Sequence, residues 1–288
     1  MIRDFQDKLF ELCCEYQEFR QYITGIDDLE ECPKQQIVLD DFNRIMLDSL
    51  YISRNLDVLV EIEHQSSITS QIMFRNLKYH VNIKDKYQKP LQLHIFHTGL
   101  RIAPREYEYD NQIFHIPYLN QTYAKNGIET FKTIKNKIKN NETTPYDIFD
   151  FIWLPRQSQL EINDDFLREY IETTSKFNDS KFYPLLKVST SVWTDRLTNN
   201  EKTIDYLKEK LNMISIDSPE FRDLRATAIY EREKEEFERK EEEFNREREE
   251  YQRKEVEYQK EREEYQRKEV EYQREIDELK KQLAKYQS

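Results

Sequence analysis

Three carboxylates and an amide of one parity give this chain its clearest chemistry. In LDVLVEIEHQ (Leu56–Gln65), Asp57, Glu61, Glu63 and Gln65 alternate with Val58, Val60 and Ile62. If the stretch is a strand, the acids and the amide share one face and the aliphatics the other. Polar groups gathered on one face are costly to bury unless they have partners, and a divalent cation is one such partner. Mg²⁺ takes hard carboxylate oxygens and keeps several waters. Asp48, from the preceding apolar segment, and Glu63 would hold it. The metal would acidify a bound water and steady charge on a scissile phosphate, while Gln65 would position the water or a phosphate oxygen. Asp57 competes with Asp48 for the first role. It lies six residues upstream of Glu63, about 20 Å along an extended strand, too far for a shared ligand. Glu61 is either an outer ligand or a solvated neighbour. The plainer alternative is that this face simply meets solvent, as antiparallel sheets often allow.

The elements that must position these groups follow from periodicity. Residues 1–22 carry Phe5, Leu9, Leu12, Tyr16 and Phe19 at helical spacing. Thr24–Gln36, with Gly25 and Pro33, reads as a loop. Ile45–Ile52 and Leu56–Gln65 read as a hairpin broken at Ser53-Arg54-Asn55. A helix is expected over Ser66–Tyr87, a strand over Leu91–Thr98, and an edge strand over Ile113–Leu119, demoted by Pro117. Beyond Asn126 the pattern is helical over 126–140, 146–152, 160–178 and 200–212. His64 falls opposite Glu63 and reads as core or rim. His94 and His97 differ in parity and make no metal pair. Trp153 and Trp193 read as core of the helical part.

With these residues in view, the sequence resembles a known family. LVEIEHQSS followed by MFRNLKY is similar to the core of the recombination-promoting nucleases, the Rpn or YhgA-like transposase family of the PD-(D/E)xK nuclease superfamily. The family's E-x-Q signature appears as Glu63-His64-Gln65, followed by Ser66 and Ser67. Its D-x-L-Y appears as Asp48-Ser49-Leu50-Tyr51, and F-R-x-L-x-Y as Phe74, Arg75, Leu77 and Tyr79. LHIFHTG at 93–99 matches a strand ending at a small turn residue. The resemblance covers roughly residues 40–120. It implies a Mg²⁺-dependent DNA endonuclease with Asp48, Glu63 and Gln65 as active positions. The hairpin is shorter than in some relatives, and Gln65 lacks the cation a lysine would bring, so an inactive nuclease fold is the competing expectation. Arg75, Lys78, Lys132 and Lys135 are candidate DNA contacts. Arg75 equally suits a helix acid, and the lysines of 126–140 equally suit a solvated face.

Composition excludes other classes. A net charge of −12 argues against a general polyanion binder, though not against a local basic patch. Only Gly25, Gly99 and Gly127 occur, so no glycine-rich phosphate loop can be drawn. Cys13, Cys14 and Cys32 make neither a disulfide framework nor a zinc cluster. No apolar run approaches the roughly 20 residues that span a bilayer, and the first residues lack a signal-peptide core. A cytoplasmic protein without membrane association is the expectation.

The last segment is of another kind. Tyr230, Phe237, Phe244, Tyr251, Tyr258, Tyr265 and Tyr272 recur every seven residues, and Glu247–Gln259 is identical to Glu261–Gln273. Neither Gly nor Pro follows Pro219, and Ser218 with Pro219 suits a helix start. Glu four residues before Lys or Arg recurs, as in Glu250/Lys254. A helix of about 85 Å is expected. With the aromatics at d, the a positions are charged; only Ile276, Leu279, Leu283 and Tyr286 form an apolar seam. The expectation is therefore an α/β chain: a PD-(D/E)xK nuclease-like core at 1–125, a helical annex at 126–217, and a charged heptad helix at 218–288 that dimerises at its tip. A catalytically inactive scaffold or coiled-coil assembly protein is the alternative.

Overall fold

The computed structural model describes residues 4–32, 37–38, 44–45, 49–109, 112–212 and 219–286. The N-terminal helical pattern resolves into α1 (Phe5–Cys14) and α2 (Gln17–Thr24), broken at Glu15-Tyr16. Asp4 caps α1 through Gln6 N–H, and Gly25 ends α2 in the left-handed region at φ 74°. Next come β1 (Leu29–Glu31), the two-residue strands β2 (Ile37–Val38) and β3 (Arg44–Ile45), and the hairpin β4 (Ser49–Ser53) and β5 (Val58–Gln65). Helix α3 (Ser70–Tyr87) starts at the Thr69 cap, four residues later than the apolar pattern suggested, and crosses to β6 (Leu91–His97). The stretch 113–119 is two strands rather than one. β8 (Gln112–His115) pairs with β7 (Glu106–Tyr109), and β9 (Tyr118–Gln121) forms an edge of the main sheet, with Pro117 at the break between them.

The main sheet has five strands in the order β1-β4-β5-β6-β9. β4 runs antiparallel to β5, while β5, β6 and β9 are parallel. Both parallel connections bring carboxyl ends to the same edge, where open α/β sheets bind ligands. An α/β class with a mixed open sheet is thus established.

Helices α4 (Gly127–Asn140), α5 (Pro145–Ile152), α6 (Asp164–Ser175), α7 (Tyr183–Leu197) and α8 (Glu201–Lys210) follow. Thr144 and Asp147 form a reciprocal capping box on α5. These helices share one core with the sheet. Phe96 of β6 meets Trp153, Trp153 meets Trp193, and Trp193 meets Phe5 of α1 edge-on at 4.9 Å. Both tryptophans are buried, as are Cys13 and Cys14.

The chain forms two compact units, Met1–Glu231 and Arg232–Ser288. Residues 1–125 and 126–217 therefore belong to one unit. The final helix, α9 (Pro219–Tyr286), runs through the boundary, and Ser218 lies outside the described residues. No described helix is long and apolar enough to cross a membrane.

Candidate functional site

Strand β5 separates two environments. On one face Val60 and Ile62 enter the large aromatic core. His64 joins them, buried, with its ring stacked on Phe10 at 5.4 Å. Its Nδ1 lies 2.5 Å from the Asp7 carboxylate and its Nε2 2.8 Å from Thr98 Oγ1. Thr98 Oγ1 in turn donates to Gln6 Oε1 at 2.9 Å. His64 is thus a structural bolt between β5, β6 and α1, on the face opposite Glu63.

The other face lies under α3. Leu59 packs with Leu50 and Ile83 at one end, and Ile95 packs with Met73 and Leu119 at the other. Between these apolar clusters stand Glu61, Glu63 and Gln65, with relative exposures of 0%, 5% and 8%. The solvent-facing alternative therefore fails: helix α3 covers this side of the strand. Three polar side chains occupy positions where aliphatics would pack at lower cost. Glu61 and Glu63 both interact with neighbouring groups. Parallel register sets Glu61 beside Leu93, Glu63 beside Ile95 and Gln65 beside His97.

Asp48 lies outside the described residues; the register of the hairpin is described up to Ser49, paired with Ile62. Asp57 sits in the hairpin turn at φ 50°, exposed and ion-paired with Lys89, away from Glu63 as strand geometry required. Arg75 and Lys78 belong to α3, the helix over the acidic face. Lys132 and Lys135 belong to α4. Lys132 is exposed, whereas Lys135 is engaged by Glu169 at 2.6 Å and by the Phe131 ring. The fold thus joins Glu63 and Gln65 on one face. Among the described residues no group of three or more His, Cys, Asp or Glu side chains could hold a metal ion. Glu61 and Glu63 offer hard oxygen donors suited to Mg²⁺, but a complete set of ligands needs a further group.

A second feature adjoins the carboxyl ends of β5 and β6. A pocket of about 420 Å³ is lined by Ser66, Ser67, His97, Gly99 and Arg101, among others. Its floor is fixed by Thr98 N–H donating to Gln65 O and by Ala103 N–H donating to Gln121 Oε1. The His97 imidazole is buried at 3% exposure. Burial lowers its pKa, aided by the nearby His64 and Arg156. The pattern of residues gave notice of Ser66 and Ser67 but not of His97, whose parity alone carried no sign of a pocket. Compared with models of known families, with curated proteins and with solved structures, the chain matches none.

Proposed function

We propose that this chain is a metal-dependent DNA endonuclease of the recombination-promoting type, built on a PD-(D/E)xK nuclease core. The observation that carries the reading is the burial of Glu63 and Gln65 beneath α3, on one face of a central strand. Carboxylates held there cost stability that an aliphatic face would not, and a metal site explains why they stand there. Asp48 and Glu63 are the metal ligands in this reading. Mg²⁺ would supply an activated water and neutralise charge on the phosphate. Gln65 orients the water or a phosphate oxygen. DNA is the substrate, and exposed Lys132 with Arg75 and Lys78 supplies phosphate contacts, whereas Lys135 is committed to Glu169.

The test is nicking of supercoiled plasmid with Mg²⁺ by the full chain and by Asp48→Ala and Glu63→Ala. Loss of activity in both variants is expected. Activity unchanged in both removes the site assignment. A second reading, an inactive scaffold that assembles through its tail, draws on the exposed aromatic rings of α9. Absence of Mg²⁺ binding by calorimetry together with concentration-dependent self-association would favour it.

A further inference from the structure

The pocket at the carboxyl ends of β5 and β6 has a chemistry of its own. Arg101 is exposed in its wall, and no Asp or Glu lines it among the described residues. Arg101 takes part in no ion pair among the described residues, and its guanidinium carries five N–H donors. Ser66 and Ser67 bring two hydroxyls. They lead through Ile68 to the Thr69 cap of α3, an 18-residue helix whose N-terminus favours negative charge.

The second, independent observation is His97. Its side chain is buried and lines the pocket, and Nδ1 has no hydrogen-bond partner among the described residues. The other ring nitrogen packs directly against Gly99. A Cβ at that position would lie 2.5 Å from His97 Nε2 and 2.6 Å from Ser66 O. Glycine is required there for space, since its φ is not positive. The ring is therefore held in the pocket wall by main chain packed against its edge. Above it, Leu100 and Ile102 are 57% and 66% exposed, two large aliphatics at the mouth of a polar recess. The volume suits a ligand the size of a mononucleotide.

We infer that this pocket binds a phosphate monoester carried on an apolar or aromatic body, with Arg101, Ser66 and Ser67 on the phosphate and Leu100 and Ile102 against the body. The ligand is either a free mononucleotide or the phosphorylated end of a DNA strand. This inference goes beyond the nuclease reading and requires neither metal nor cleavage.

Calorimetry of the full chain without metal ion provides the test, using thymidine 5′-monophosphate, thymidine, and a short oligonucleotide with a 5′-phosphate or a 5′-hydroxyl. The phosphorylated member of each pair is expected to bind at least about tenfold more tightly, the worth of one charge-assisted contact. Tighter binding of the nucleotide alone identifies a free-nucleotide pocket; tighter binding of the phosphorylated strand identifies an end-binding pocket. Arg101→Gln and Ser67→Ala, both at exposed positions, are expected to weaken binding, the first by about tenfold. Equal affinity for thymidine and its monophosphate, or affinity unchanged in both variants, overturns the proposal. Loss of nicking in Glu63→Ala with phosphate binding retained separates this site from the proposed catalytic one.

Discussion

Aromatic rings serve opposite ends of this chain in opposite ways. In the first unit Phe149, Phe151, Tyr170 and Trp153 are at most 1% exposed, locked in edge-on and tilted contacts. In the second unit Phe237, Phe244, Tyr251 and Tyr258 are 64–80% exposed, although they repeat with perfect regularity. Periodicity alone therefore buries nothing. A ring is buried when a second element presents an apolar face to it, and the a positions of the heptad present Lys234, Glu241, Arg248 and Glu255 instead. Helix α9 contains both regimes. Its first turns place Phe221, Leu224 and Ala228 in the main core at 6%, 2% and 0% exposure. Past Glu231 the helix rests on local support, such as the Glu250–Lys254 pair at 2.8 Å.

The comparison is broken most severely at Trp153. Trp153→Ala removes a ring that touches Phe96, His64 and Trp193. A loss of about 3–5 kcal/mol is expected in urea unfolding. A loss under 1 kcal/mol would mean that the sheet and the helices do not share one core. The next test lies at the root of α9. Arg225 donates to both oxygens of Asp195, whose side chain is only 2% exposed, and so fastens the helix to α7. Arg225→Ala is expected to cost about 3 kcal/mol, because it strips a two-pronged cationic contact from a buried carboxylate. Arg225→Lys should recover only part of this, since an ammonium cannot reproduce the two-pronged contact.

How much of this was legible beforehand differs by element. The hairpin, the helix after it and the parity of β5 could all be read, because alternation and helical spacing register directly in residue order. The burial of Glu61 and Glu63 could not. An acidic strand face looks the same in sequence whether water or α3 lies above it. Helix α7 escaped for the opposite reason. Leu186, Ser189, Thr190, Val192, Trp193 and Thr194 are buried around its whole circumference, so no apolar stripe marks it. Its hydroxyls are satisfied locally: Thr194 Oγ1 donates to Thr190 O at 2.8 Å, and Thr190 meets Thr174 at 2.7 Å. The pocket beside Gly99 depends on a ring and a backbone segment meeting in space, which spacing along the chain does not encode. Asp48 rests on the hairpin pattern and on its D-x-L-Y resemblance and lies outside the described residues, so nicking by its variant is the measurement that decides its role.

A smaller effect is expected where the buried and exposed parts of α9 meet. Glu231 accepts from Phe5 N–H at 3.0 Å and has its pKa raised to about 7, first by burial and then by Asp4. The unfolded chain releases that proton near the ordinary value of 4.5. Between these values the folded state holds more protons than the unfolded state, so this group's contribution to stability falls as pH rises from about 4.5 to 7 and is level above. His94 has the opposite sign. Burial lowers its pKa to about 4, so the unfolded state binds the proton first and stability is lost as pH falls from 6.5 towards 4. Glu231→Gln keeps an acceptor for Phe5 N–H and removes the first slope alone. The melting temperature at pH 8, taken relative to that at pH 5, should therefore be higher in Glu231→Gln than in wild type, because the alkaline destabilisation is lost while the His94 slope remains. An unchanged difference would show that Glu231 is ionised in the folded protein throughout this range.

The smallest effect on stability is expected in the tail, and it is the sharpest statement of the comparison. Tyr251 is 80% exposed, so Tyr251→Ala should change urea unfolding of the full chain by no more than about 0.5 kcal/mol. Alanine even favours the helix slightly over tyrosine. A larger loss would mean that the ring is covered in solution, and the available cover would be a second copy of the same repeat. Sedimentation decides the point. A chain ending after Gln273 lacks Ile276, Leu279, Leu283 and Tyr286, the only apolar seam in the register. If the tip joins two copies, that truncation dissociates them while Tyr251→Ala leaves them paired. If instead the aromatic d positions join them, Tyr251→Ala weakens the pair and truncation does not abolish it. An unchanged oligomer in both variants removes α9 as the contact.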